Sequence, residues 1–232
     1  MKRIALISLS LLMAYSVMAE KTVDSYRFRY GAIVGATATI TTTSEVVDGH
    51  TRYTTVLDGR TKGLADALFH VHDIFSSTYG DNCLPVSAYR DIHEGKTYTK
   101  REDLTFDRVG NTVTSSLAGT EDAAPNLRDM VAALMYITKV NYTKADIGKR
   151  RKYYMYHEEQ QFPVEVRYNG VEEVKIGKKR YTCHSLSPLV DPGNLLEQKD
   201  ALTVYVDVNS HKIISAKLHF KLAGFFRLEI ME

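Results

Sequence analysis

Ile214-Ser215-Ala216-Lys217-Leu218-His219-Phe220-Lys221-Leu222 sets an apolar side chain at every second position and a polar or charged one between. A period of two cannot build one face of a helix; it builds a strand with one dry and one wet side. The same alternation recurs towards the N-terminus. Leu202, Val204, Val206 and Val208 oppose Thr203, Tyr205 and Asp207, and Val164, Val166 and Tyr168 oppose Glu165 and Arg167. Earlier still, Ala36, Ala38 and Ile40 alternate with Thr37, Thr39 and Thr41, and Tyr26, Phe28 and Tyr30 with Arg27 and Arg29. Fifteen tyrosines and eight phenylalanines, without tryptophan, suit pleated surfaces on which aromatic and β-branched side chains pack.

Turn chemistry falls between these runs. Asp48-Gly49 and Asn169-Gly170 read as hairpin dipeptides, and Asn209-Ser210 precedes His211. Two segments break the period. Residues 125–138 carry Leu127, Val131, Leu134 and Thr138 at helical spacing behind Pro125, which suits a first helical turn. Residues 63–69 read as a short helix running into a strand. The expected architecture is mainly β: a curved antiparallel sheet or open β-barrel of about ten strands, with one or two helices packed on it. The polar faces of the strands carry Arg, Lys, Glu and Thr, which argues against an integral outer-membrane barrel.

Residues 1–19 have the layout of a secretory signal peptide: Lys2 and Arg3, an apolar run over 4–13, then Val17-Met18-Ala19 as a cleavage site. The apolar run is shorter than the roughly 20 residues of a membrane span. The remainder, 20–232, is expected to form one mostly-β domain exported to the periplasm. Cleavage removes two cations and no acid, leaving 28 basic against 28 acidic residues. That balance gives no support for steering towards nucleic acid. The basic clusters Lys149-Arg150-Arg151-Lys152 and Lys178-Lys179-Arg180 each follow a glycine and read as solvated strand starts.

Residues able to do chemistry are few. Cys83 and Cys183 are the two cysteines. They form a candidate disulfide in an oxidising compartment, worth about 4–5 kcal/mol in the chain-entropy model, or else two buried thiols. His184 adjoins Cys183 but points to the opposite face of a strand and so cannot easily serve it. His70 and His72 share a face if the segment is extended, yet no further ligand is visibly placed to complete a metal site. The neighbouring pairs Glu102-Asp103, Glu158-Glu159 and Glu172-Glu173 read as solvated carboxylates. No phosphate-cradling glycine loop, serine nucleophile elbow or nucleotide motif occurs, so no catalytic residue and no cofactor is nominated.

Several short motifs, in order, resemble the exported bacterial proteins grouped as domain-of-unknown-function family 3108. They are Tyr30-Gly31 with Gly35-Ala36, residues 73–81, Leu84-Pro85, Arg90, Glu94-Gly95 and Phe106-Asp107, then Asp129. Gly177 through Cys183, Pro188, Gly193 and the closing strands over 204–230 follow. The chain departs from the family at Tyr205, where tryptophan is frequent, and at Ile214, near a frequent proline. The resemblance implies an exported, mostly β protein without an agreed activity, and it supplies no catalytic residues. By fold analogy it also resembles open β-barrel envelope proteins that shelter lipid. The leading expectation is a non-catalytic envelope protein holding an apolar or lipid-like ligand in its curved sheet, with inward residues such as Tyr168, Leu218 and Phe220 lining the pocket. A structural or assembly partner of an envelope complex is the alternative, and a hydrolase of envelope polymers the third reading.

Overall fold

A computed structural model of the protein describes residues 20–189, 201–220 and 224–231; the side chain of Phe220 and the expected leader over 1–19 lie outside the described residues. The chain opens with three long strands, β1 (Glu20–Tyr30), β2 (Ile33–Val47) and β3 (His50–Thr61). A short helix, α1 (Leu64–Leu68), leads into β4 (His72–Gly80), β5 (Pro85–Glu94) and β6 (Tyr98–Asp107). Three short strands follow, β7 (Thr112–Ser115), β8 (Gly119–Asp122) and β9 (Arg128–Asp129), then helix α2 (Met130–Lys139). The rest comprises β10 (Arg150–His157), β11 (Gln160–Ile176), β12 (Lys179–Leu189), β13 (Leu202–Asp207), β14 (Ile213–Phe220) and β15 (Gly224–Ile230).

All of these strands join one fifteen-stranded sheet in the order β8 to β1, then β15 down to β9. The chain is therefore a meander whose first and last long strands, β1 and β15, pair side by side. So many twisted strands cannot lie flat. Edge strand β8 runs through residues 123–127 straight into the opposite edge, β9, which pairs parallel to β10. Gln161 fastens the join: its Nε2 donates to the Asp122 carbonyl at 2.8 Å, and its Oε1 accepts from the Ala124 amide at 2.7 Å. The sheet is an open barrel whose seam is spanned by side chains. Fifteen strands against the expected ten or so reflects β7, β8 and β9, which are two to four residues long and carry no readable alternation.

The main core lies on the concave side. Tyr26, Val164, Val166, Tyr168, Leu186, Val204 and Val206 pack there against Ala133 and Ile137 of α2. The helix begins later than the sequence suggests. Pro125 lies in the link between β8 and β9, and the N-cap is Asp129, whose side chain accepts from the Val131 and Ala132 amides.

Two dipeptides behave differently. Asp48-Gly49 closes the β2–β3 hairpin with φ of 52° and 78°, the mirror-image turn that matches strand twist. Asn169-Gly170, expected as a turn, is instead a bulge within β11: the register with β12 slips between Tyr168 and Gly170, and the turn comes at Gly177. A positive φ at Gly170 serves a bulge as well as a turn. The slip reverses which side chains face inward. Beyond it, Val174 and Ile176 join Cys183, Tyr205 and Ile214 in a second apolar cluster on the outer face. A further slip, where Tyr205 pairs with Ser215 but Val206 with Ile213, sends Ile214 to that face and Ile213 to the core. The alternation thus holds from Ala216 to His219 but not at Ile214, and Phe220 to Leu222 lie outside the described side chains.

Candidate functional site

The concave face is not wholly filled. A groove of about 530 Å³ runs along β1 to β4 and β13 to β15, beneath one side of α2. That volume is within the roughly 300–1,000 Å³ of small-molecule sites. Its origin is in the sequence. The inward positions of β2 hold Ala36 and Ala38, and Gly59 stands opposite Ala38 in β3. Large side chains on the neighbouring strands, Tyr26, Phe28, Leu57, Phe75 and Leu228, form the walls around that shallow stripe. Met130 and Leu134 of α2 form the roof. Tyr26 is fixed as floor by its hydroxyl, which donates to the Ile213 carbonyl at 3.1 Å. The acid on the groove-facing register of β4 is Asp73, opposite Gly59. Arg60 and Asp58 point to the other face of β3, where Arg60 Nη2 donates to both Asp58 oxygens, at 2.9 and 2.7 Å. Burial raises the Asp73 carboxyl above its ordinary value, against a hydrogen bond from the His93 amide.

The family described as Protein of unknown function (DUF3108) matches residues 25–223. The chain belongs to that family. Among solved structures, the β-barrel-like protein of domain of unknown function DUF1849 from Brucella abortus has a similar fold. It superposes with a TM-score of 0.53 over 92% of this chain and 96% of that one, at 9% identity. No curated protein matches.

In this DUF3108 chain the residues singled out from sequence lie elsewhere. Tyr168 is buried in the main core, stacked on Tyr142 at 4.6 Å with its hydroxyl 3.0 Å from His184 Nδ1, and does not line the groove. Leu218 is half-buried between Leu202 and Phe226, outside the groove wall. Phe220 has no described side chain. Cys83 and Cys183 are free thiols in separate clusters rather than a bonded pair. Cys83 ends the β4–β5 turn with φ 54° and packs beside Tyr79 and Ala132, whereas Cys183 faces outward from β12. Burial raises both thiols, Cys183 to about 12, which favours the protonated thiol over the nucleophilic thiolate. The signal for the groove was present in the sequence as small residues, Ala36 and Ala38, on an inward stripe.

The DUF3108 chain also collects polar side chains in two places. His70, His72 and His93 border a hollow of about 260 Å³, but each faces its own carboxylate: Asp66 at 2.8 Å, Asp58 at 3.3 Å and Asp91 at 3.0 Å. Among the described residues no group of three or more His, Cys, Asp or Glu is placed to hold a metal ion. The second collection joins Arg90, Glu102, His157 and Asp129 around about 30 Å³, the space of roughly one water. Arg90 Nε donates to Glu102 at 2.8 Å and its Nη2 to Glu159 at 2.6 Å. A substrate has no room there.

Among the described residues no helix is long and apolar enough to cross a membrane.

Proposed function

We propose that this DUF3108 protein is an exported, non-catalytic envelope protein that holds an apolar or lipid-like chain in its concave groove. One observation carries the reading: an open groove of about 530 Å³, walled almost wholly by aliphatic and aromatic side chains. Water in such a groove makes few hydrogen bonds, so an apolar chain displaces it favourably, at about 25 cal/mol per Å² of apolar surface covered. Export is supported by Lys2, Arg3, the apolar run over 4–13 and the Val17-Met18-Ala19 site.

The test is uptake of a fluorescent fatty acid by the purified protein, beside Ala38→Phe, which fills the shallow stripe. Wild type is expected to bind and quench on competition with unlabelled fatty acid. The variant is expected to bind about tenfold or more weakly with an unchanged circular dichroism spectrum. Equal binding by A38F, or none by wild type, rejects the groove as the site. The alternative, an assembly role, draws on the wholly exposed edge strand β8. Copurification of a stoichiometric protein partner with an empty groove would favour it.

A further inference from the structure

One end of the barrel carries apolar side chains that its own fold leaves in water. Helix α1 is five residues long and buries none of them. Ala65 seats it against Gly35, while Leu64 and Leu68, one turn apart on the same side, are 76% and 78% exposed. Phe69 follows, also exposed. Across the same end, Tyr30 and Ile33 pair at the β1–β2 turn, and Ile33 is 67% exposed. Phe225, 66% exposed, stands on the adjoining strand β15. Scattered exposed apolar residues are ordinary, but a row of them along consecutive strand ends is not. The groove reaches this end, since Gly35, Ala65 and Val71 are among its walls.

Next to the row lies surplus positive charge. On the outer face, Arg29 is paired with Arg227 in β15, and Arg227 with Lys217 in β14. Like charges directly opposite one another destabilise a sheet. Arg27, Arg29 and Arg227 share one buried carboxylate, Glu229, at 3.0, 3.3 and 3.6 Å. Lys217 Nζ donates to the Tyr205 hydroxyl at 3.0 Å, and with Arg227 it borders a small hollow that Lys175, Glu172 and Glu173 also line. Arg29 Nε is buried without a hydrogen-bond partner among the described residues. A hollow of about 490 Å³ opens between Arg29, Lys217, Arg227 and Phe225.

We infer that this end docks on a bilayer surface rich in anionic phospholipid. The apolar row enters the headgroup boundary, and the Arg29–Arg227–Lys217 row meets lipid phosphates. Interfacial binding of this kind combines buried apolar area with attraction to anionic lipid. It rests on the groove reading only in giving the groove a source of chains; docking itself needs no ligand.

The experiment is cosedimentation with extruded vesicles of phosphatidylglycerol and phosphatidylethanolamine, beside vesicles of phosphatidylcholine alone. Wild type is expected to pellet with the anionic vesicles and about tenfold less with the neutral ones. Leu64→Ser with Leu68→Ser, and separately Arg227→Gln with Lys217→Gln, are each expected to lose about tenfold or more of that binding. The leucine pair keeps its uptake of free fluorescent fatty acid, whereas A38F still pellets, so loss of docking and loss of the groove are read apart. Wild type remaining in the supernatant, or both paired variants pelleting like wild type, overturns the proposal. So does a dimer that the leucine pair converts to monomer while wild type ignores vesicles, since a second copy would then cover the row.

Discussion

Asp129 shows how much one residue carries. It ends β9, caps α2 through the Val131 and Ala132 amides, and accepts from Ser77 Oγ at 2.6 Å. Burial pushes its carboxyl up to about 6, and those three hydrogen bonds act the other way. A carboxyl held above its ordinary value favours the folded state most when neutral. Its contribution is therefore fully present below about pH 4 and is lost as pH rises through about 6. Urea unfolding at pH 5 and pH 8 should show Asp129→Asn losing less stability than wild type over that interval. Asp129→Ala should cost about 1–3 kcal/mol at either pH, because the cap disappears and Ser77 loses its acceptor. A wild-type difference no larger than that of D129N would show that Asp129 is not the titrating group.

At the scale of the element, the Asn169-Gly170 bulge decides what β11 does. The dipeptide signals a positive φ, and that much the structure bears out at Gly170. Whether the chain reverses there or only kinks depends on what lies across it. Here Asn169 Nδ2 donates to Ser187 Oγ at 3.0 Å, and β12 continues alongside as far as Lys179. The extra residue lets one strand of seventeen residues feed two cores, Val164 to Tyr168 inward and Val174 to Ile176 outward. Deleting Asn169 should close the bulge while Gly170 to Ile176 keep their pairing with β12, so Ile176 stays beside Cys183 and Tyr205. The expected loss is about 1–2 kcal/mol, from the Asn169 hydrogen bonds to Ser185 and Ser187, measured as a lower urea midpoint with an unchanged strand signal in circular dichroism. Gly170→Ala, strained at φ 112° but free of close contact, should cost about 1 kcal/mol.

For the whole molecule the decisive feature is the seam. Arg90 of β5 joins Glu102 of β6 to Glu159 in the β10–β11 turn, and Lys100 meets Glu159 at 2.7 Å. The Lys100 hydrogen bond and the nearby cations hold the Glu159 carboxyl below its ordinary value. Glu102 is 1% exposed, so removing Arg90 strands a buried charge. Arg90→Met should therefore cost about 3–5 kcal/mol, and Arg90→Met with Glu102→Leu should recover much of it. Equal stability of the single and double variants in denaturant titrations would show that the loss does not come from stranding the Glu102 carboxylate. Nothing in the sequence announced this trio, since Glu159 is 69 positions from Arg90 and read as a solvated carboxylate.

The period of two in the apolar residues, the turn at Asp48-Gly49 and the short helix before His70 are local properties of the chain. They fixed a mainly β meander that must curl, because alternation and twist act between neighbours in sequence. The cysteines, Tyr168 and Leu218 could not be placed by such reasoning, since their surroundings come from strands far away in the chain. The groove is likewise a matter of packing. Small residues in β2 and β3 leave space only because Tyr26, Phe28 and Phe75 stand beside them and α2 lies above. Two bulges then reassigned Ile176 and Ile214 to the outer face, and that exchange is set by cross-strand register rather than by any residue alone.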